Sequence, residues 1–228
     1  MPLATAEKLE QHSADDVPTR LIETAIKLYG ERGCHAVSAR EIIREAGVLN
    51  EAAVRYYFGN KQDLLEACLT SISGEIAPLM QRRWNELDAR KPTNSGGRQI
   101  EVRDVVTAVL GGMIELQFQH ASAMQLIARM IREEGANGQD LLIKAMKATI
   151  WRFEKELASV LPRKSAKALR LHTFLAINSI LNGLVDQRLL NRLPATDSNA
   201  EFYQLEPNEL MQGFIDYVSA GISSASNI

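Results

Sequence analysis

Cysteine is nearly missing from this sequence of 228 residues: Cys34 and Cys68 are the two present, in separate helical contexts and without a paired spacing. A disulfide framework or a cysteine zinc site has nothing to build on. The four histidines, His12, His35, His120 and His172, fall at no metal-ligand spacing, and the chain holds neither a nucleophile motif nor a glycine-rich phosphate loop. No metal, no cofactor and no enzymatic activity are expected. No apolar run approaches the roughly 20 residues that cross a bilayer, and the polar start, Met1 to Asp16, lacks the apolar stretch of a secretory signal. The expected setting is the cytoplasm, away from membranes. Charge of one sign is missing as well: a net charge of −2 and an isoelectric point near 6.1 exclude a protein that coats nucleic acid by bulk attraction. Any DNA binding must be local.

What is present is helix signal. Apolar residues make up 46% of the chain and charged residues 24%, an ordinary globular balance. The apolar positions recur at spacings of three and four almost throughout, while strict two-residue alternation is nearly absent. The pattern predicts an all-α fold of about nine helices: a three-helix head on a larger helical C-terminal domain. Residues 1–17 are polar and unpatterned and read as a flexible arm, residues 18–64 as the head, and residues 65–228 as the larger domain.

Within the head, Leu21, Ile22, Ala25, Ile26, Leu28 and Tyr29 form the apolar face of a first helix that Gly33 stops. Ser38 and Glu41 stand at capping-box spacing for a second helix reaching about Ala46. Gly47 breaks it, and Asn50 is placed to cap a third, short helix through Phe58. Gly59 ends that one, Asn60 caps the next, and Lys61 opens a long fourth helix with Pro78 inside it. Residues 91–97, rich in Pro, Asn and Gly, read as a loop. Helices follow at about 100–119, 121–134, 138–160, 164–192 and 207–224.

A short helix, a glycine turn and a second short helix form the geometry that presents the second helix to a DNA major groove. Val54 and Phe58, four apart, pack inward, which leaves Asn50, Glu51, Arg55 and Tyr56 on or near the opposite side. Arg55, Tyr56, Tyr57 and Lys61 supply a cation and hydroxyls for phosphate oxygens, and Lys61 also lies at the positive end of a helix dipole. From Ser38 to Lys61 the cations Arg40, Arg44, Arg55 and Lys61 outnumber the acids Glu41, Glu45 and Glu51 by one. The tract is only weakly basic. Alone, such a mixed face is more often merely solvated.

The run from Thr19 to Leu69, with its G-C-H-A-V-S exit from the first helix, its A-G-V turn, its Y-Y-F-G-N-K segment and the L-L after it, resembles the N-terminal signature of the TetR family, the tetracycline-repressor-like regulators. The resemblance implies contacts to a DNA operator from Ser38, Asn50, Glu51, Ala52, Ala53, Arg55, Tyr56, Tyr57 and Lys61, with Arg40 beside them at the start of the second helix. Two departures stand out. The turn from Gly47 to Asn50 is one residue longer than the commonest pattern, with Leu49 as the extra residue, and Arg55 stands where an aromatic residue is usual.

Beyond residue 69 the resemblance is to the layout of helices alone. It implies a homodimer through the last two long helices, a palindromic operator on double-stranded DNA, and a small-molecule effector held among helices. Leu169, Phe174, Leu175, Ile177, Ile180, Leu181, Leu184 and Val185, then Leu210, Met211, Phe214, Ile215, Val218 and Ile222, are the stripes suited to the dimer. Trp84, Met113, Phe118, Met124, Met130, Met146, Trp151 and Asn178 offer a soft lining for an apolar effector or, residue by residue, ordinary core. The implied function is a transcription regulator acting as a repressor. The alternative is a partner-binding adaptor whose helix-turn-helix no longer holds DNA.

Overall fold

The computed structural model describes residues 3–92, 96–192 and 206–224, with side chains described from Asp16 onward and not at residues 191, 192 and 207. Among the described residues it is all-α, with nine α-helices and no strand: α1 Leu3–Arg32, α2 Ala39–Glu45, α3 Ala53–Phe58, α4 Lys61–Asp88, α5 Val102–Gln119, α6 Ala121–Arg132, α7 Gly135–Val160, α8 Ala166–Val185 and α9 Pro207–Ser223. A 3-10 segment, Gln187–Arg192, follows α8.

Two compact units emerge. The first holds the chain up to Gly74 together with Ala121–Ala145, and the second holds Glu75–His120 and Met146–Ile228. The division differs from the expected boundary at residue 64, because α6 returns to the head. It lies against α1, with the Arg129 guanidinium donating from Nε to the Gly30 carbonyl at 2.8 Å and from Nη2 to the Glu31 carbonyl at 3.1 Å. These are orphan carbonyls at the end of α1, so one side chain from α6 satisfies what the helix itself cannot.

The core of the first unit is made of Leu21, Ala25, Ile26 and Tyr29 from α1, Ile42 and Ile43 from α2, Val54 from α3, and Leu64, Leu65, Cys68 and Leu69 from α4, all buried. In the second unit α5 packs with α8 and α9, and Leu169, Ile180, Leu181, Leu184, Ile215, Val218 and Ile222 are buried there.

Four differences from the sequence expectation stand out. The backbone is helical from Leu3, where a loose arm was expected up to residue 17: residues 3–16 hold alanines, leucines, glutamates and a lysine, good helix formers with no glycine or proline among them. Next, α8 ends at Val185 instead of running to residue 192, with Asp186 as its C-cap. The same helix, 20 residues long, is apolar enough by length and composition to cross a membrane, although no uninterrupted apolar run of that length was expected; Ala168, Leu169, Ala176, Ile180, Leu181 and Leu184 are buried in the unit core. Finally, α7 begins at Gly135, earlier than 138; α4 contains Pro78, as expected.

Candidate nucleic-acid interface

Gly33, at φ +87°, ends the first helix of the head, and Ser38 starts the second. The Ser38 Oγ accepts the Glu41 N–H at 3.2 Å, half of the expected capping box. The Glu41 carboxylate goes instead to Arg32 at 2.5 Å, tying α2 to the end of α1. That pairing holds the Glu41 carboxyl below its ordinary range, the Arg32 hydrogen bond being the main cause. Lys27 and Glu45, 3.5 Å apart, join the same two helices.

The turn between α2 and α3 is braced from outside. Gly47 takes the left-handed conformation at φ +64°, open to a residue without Cβ, and Val48 N–H donates to the Ile43 carbonyl at 3.0 Å. Arg20 reaches across from α1 to donate to the carbonyls of Ala46 and Gly47. Nothing local in the sequence marks Arg20 for this task, because its partners lie 26 and 27 positions away.

The third helix starts later than Asn50 suggested. The Asn50 Oδ1 accepts the Ala52 N–H at 2.9 Å, an Asx turn ahead of the helix, and α3 proper begins at Ala53 with no side-chain cap. This rotates the expected contact set. Ala53 is fully buried with Val54, whereas Asn50, Glu51, Ala52, Arg55 and Tyr56 are exposed, Tyr56 at 76%. Ala53 therefore belongs to the core and not to the outer face. Tyr57 is exposed too, less so than Tyr56, and their rings meet edge to face at 4.8 Å between centroids. Ser38 and Arg40 are exposed at the start of α2, and Arg40 stands 3.6 Å from Glu51, a weak, solvated pair that links α2 to the turn before α3.

Gly59, at φ +85°, closes α3, and Asn60 caps α4 as expected: its Oδ1 accepts the N–H groups of Gln62 at 2.7 Å and Asp63 at 3.0 Å. Lys61 has partners within the head. Its ammonium donates to the Cys34 carbonyl and lies 5.8 Å from the Tyr29 ring centroid, so it braces the turn after α1. Lys61 also lines a cavity of about 360 Å³ with Tyr29, Cys34, His35, Asn60, Gln62, Leu65 and Glu134. Cys34 and Cys68 are buried free thiols, and burial pushes the Cys34 thiol up to about 12, which keeps it protonated and unreactive at neutral pH.

The residues proposed to line an effector site are divided between the two units and differ in burial. Met124 and Met130 are fully buried in the first unit, Trp84 and Met146 are buried in the second, Met113 and Asn178 are half-buried, and Phe118 and Trp151 face solvent. The Asn178 amide donates to the Phe174 carbonyl of its own helix at 2.9 Å. His120, also on an otherwise apolar stretch, meets Glu75 at 2.9 Å.

The face assembled from α2, the braced turn and α3 presents the Asn50 amide and Glu51 carboxylate in the turn and the Arg55 guanidinium and Tyr56 phenol on the short helix. It has the form of a surface that reads base edges and grips phosphates.

Comparison with known proteins places this head. Residues 21–68 match the profile of the bacterial regulatory proteins, tetR family. The HTH-type transcriptional regulator BetI of Rhizobium meliloti (strain 1021) is 39% identical over 56 residues, covering 25% of this chain and 27% of that protein. The HTH-type transcriptional dual regulator CecR of Shigella flexneri is 33% identical over 100 residues, 44% of each chain. The alignments thus span under half the length of these curated relatives. Solved structures extend the likeness in fold. A TetR-like transcriptional regulator from Rhodococcus sp. RHA1 superposes with a TM-score of 0.60 at 13% identity, over 92% of this chain and 97% of that one. The regulator FadR from Bacillus subtilis, in complex with stearoyl-CoA, does so with a TM-score of 0.63 at 13% identity, over 89% and 98%.

Proposed function

The head of this chain is that of the tetR family, and from that premise we propose that the protein is a sequence-specific DNA-binding transcription regulator, a repressor that a small, largely apolar effector releases from a palindromic operator. The observation that carries the reading is the outer face of the turn and α3, where Asn50, Glu51, Ala52, Arg55 and Tyr56 are exposed and the turn is braced by Arg20. Arg55 is suited to guanine or phosphate, and the Tyr56 hydroxyl to phosphate. Two copies joined through α8 and α9 present two such faces to the half-sites of a palindrome. The effector acts by favouring the state of lower operator affinity. Because the FadR structure holds stearoyl-CoA, long-chain acyl thioesters are the first class to screen. The site of action is the cytoplasm, where the DNA is.

The alternative, a partner-binding adaptor, draws on one observation: Glu51 stands beside Arg40 and lowers the positive field of an already weakly basic head. Arg55→Ala separates the two readings. Arg55 is exposed and has no ion pair among the described residues, so its loss should leave folding intact. In a regulator it weakens operator binding about tenfold and, where the contact is to phosphate, lowers the slope of log affinity against log salt by about one. Binding to duplexes selected from a random pool reads this out. A wild-type protein that selects no sequence would sink the regulator reading.

A further inference from the structure

The feature most at odds with ordinary folding is Leu49, 99% exposed in the turn before α3. A leucine so placed contributes no burial to the fold, and flexibility does not explain it. The residue before it is tied down by the Val48 N–H bond to Ile43, Gly47 has its carbonyl held by Arg20, and the residue after it closes the Asx turn. The isobutyl group is thus held outward by a backbone fixed on both sides, directly ahead of the exposed face of α3.

The rest of that leading edge is poor in free polar groups. Ala52 offers a methyl, the Asn50 Oδ1 is occupied by the Ala52 N–H, and the Glu51 carboxylate stands beside Arg40. An edge that ends in a leucine side chain and a methyl has one apolar counterpart on the floor of a major groove, the 5-methyl of thymine.

We infer that Leu49 is a specificity-determining residue that packs on the 5-methyl group of a thymine in each operator half-site. The inference rests on the DNA-binding reading above. Removing one buried methyl from such a contact weakens binding about fourfold.

The test uses the full chain and an operator that the wild type selects from random duplexes. Each thymine of that operator is replaced in turn by deoxyuridine, which deletes the methyl and leaves the pairing edge unchanged. At one thymine per half-site the wild type should lose about fourfold in affinity. Leu49→Ala should bind the thymine and uracil duplexes equally, near the wild-type value for uracil, while Leu49→Met should keep the discrimination. An unchanged melting temperature of Leu49→Ala checks that the head is intact. If the wild type selects an operator and every replacement costs Leu49→Ala as much as the wild type, the inference is overturned and the regulator reading stands. If the wild type selects no operator, both fall.

Discussion

Gly30 and Gly74 show how one residue type plays opposite parts in this chain. Both lie inside helices, where alanine is favoured over glycine by about 1 kcal/mol. A Cβ on Gly30 would stand 2.4 Å from the Ser122 carbonyl oxygen, a backbone atom of the α6 that packs on α1, whereas a Cβ on Gly74 meets nothing within 4 Å. The clash at Gly30 has no flexible side chain to absorb it, and overpacking of that kind costs about 1–3 kcal/mol, enough to exceed the propensity gain. Gly30→Ala should therefore lower the thermal midpoint and Gly74→Ala raise it by a few degrees, since about 0.5–1 kcal/mol is gained at the exposed site. Calorimetry of the two variants side by side checks the signs, and equal shifts would refute the close approach of α6 to α1. At the same scale, Lys61 illustrates what a motif does not tell. Its position after α3 suggests a phosphate contact, but the carbonyl that accepts its hydrogen bond, that of Cys34, is 27 positions away.

Among elements, the helices that carry their own punctuation were legible. Ser38, Asn60 and the left-handed glycines 33, 47 and 59 set the boundaries of the head, and Pro207 begins α9 where expected, because capping chemistry acts within four residues. Long-range partners were not legible. Arg32 takes the Glu41 carboxylate that the capping box would have used, Arg20 and Arg129 serve carbonyls far along the chain, and α6 joins the head rather than the larger domain. In each case a tertiary contact overrides a local signal. The start of α5 combines both kinds. Asp104 accepts the Glu101 N–H at 3.0 Å, and Arg98 adds a bidentate clasp from the loop before the helix. Burial pushes the Asp104 carboxyl up, but the Arg98 and Glu101 donors outweigh it and hold the group below its ordinary value of 3.8. The stabilisation is therefore present above about pH 4 and is lost as pH falls through the lowered value. Asp104→Asn should cost about 1–2 kcal/mol at pH 7, as the loss of a charged cap and its clasp, and the difference from wild type should shrink once the pH is taken well under the ordinary value of 3.8. Urea midpoints at the two pH values decide it. A constant difference would mean that the charge of Asp104 carries none of the effect.

At the scale of the whole molecule, the apolar stripes of α8 and α9 divide in a way that no helical wheel alone separates. Leu169, Ile180, Leu181 and Leu184, with Ile215, Val218 and Ile222, fill the core of the second unit, while Leu171, Phe174, Leu175 and Tyr217 face outward. Core demand accounts for the first group and leaves the second without a folding role. Phe174 is 58% exposed on a helix whose opposite side is buried, and large apolar groups clustered on one face mark an interaction surface. On the proposed dimer, a carboxylate at Phe174 would be buried without a partner and would stand close to its symmetry copy or to apolar neighbours. Hot-spot changes of that kind cost at least about 2 kcal/mol, a shift of thirtyfold or more in the dissociation constant. Phe174→Glu should thus convert a dimer into monomer at micromolar concentration in sedimentation velocity, with the helix content unchanged. It should also remove the concentration dependence of the melting temperature that a dimer shows. Operator affinity should fall with it, because a single head holds a single half-site. Phe118→Glu, on α5 and still more exposed to solvent, serves as the comparison: if both variants sediment as the wild type does, the outward face of α8 is not where two copies meet.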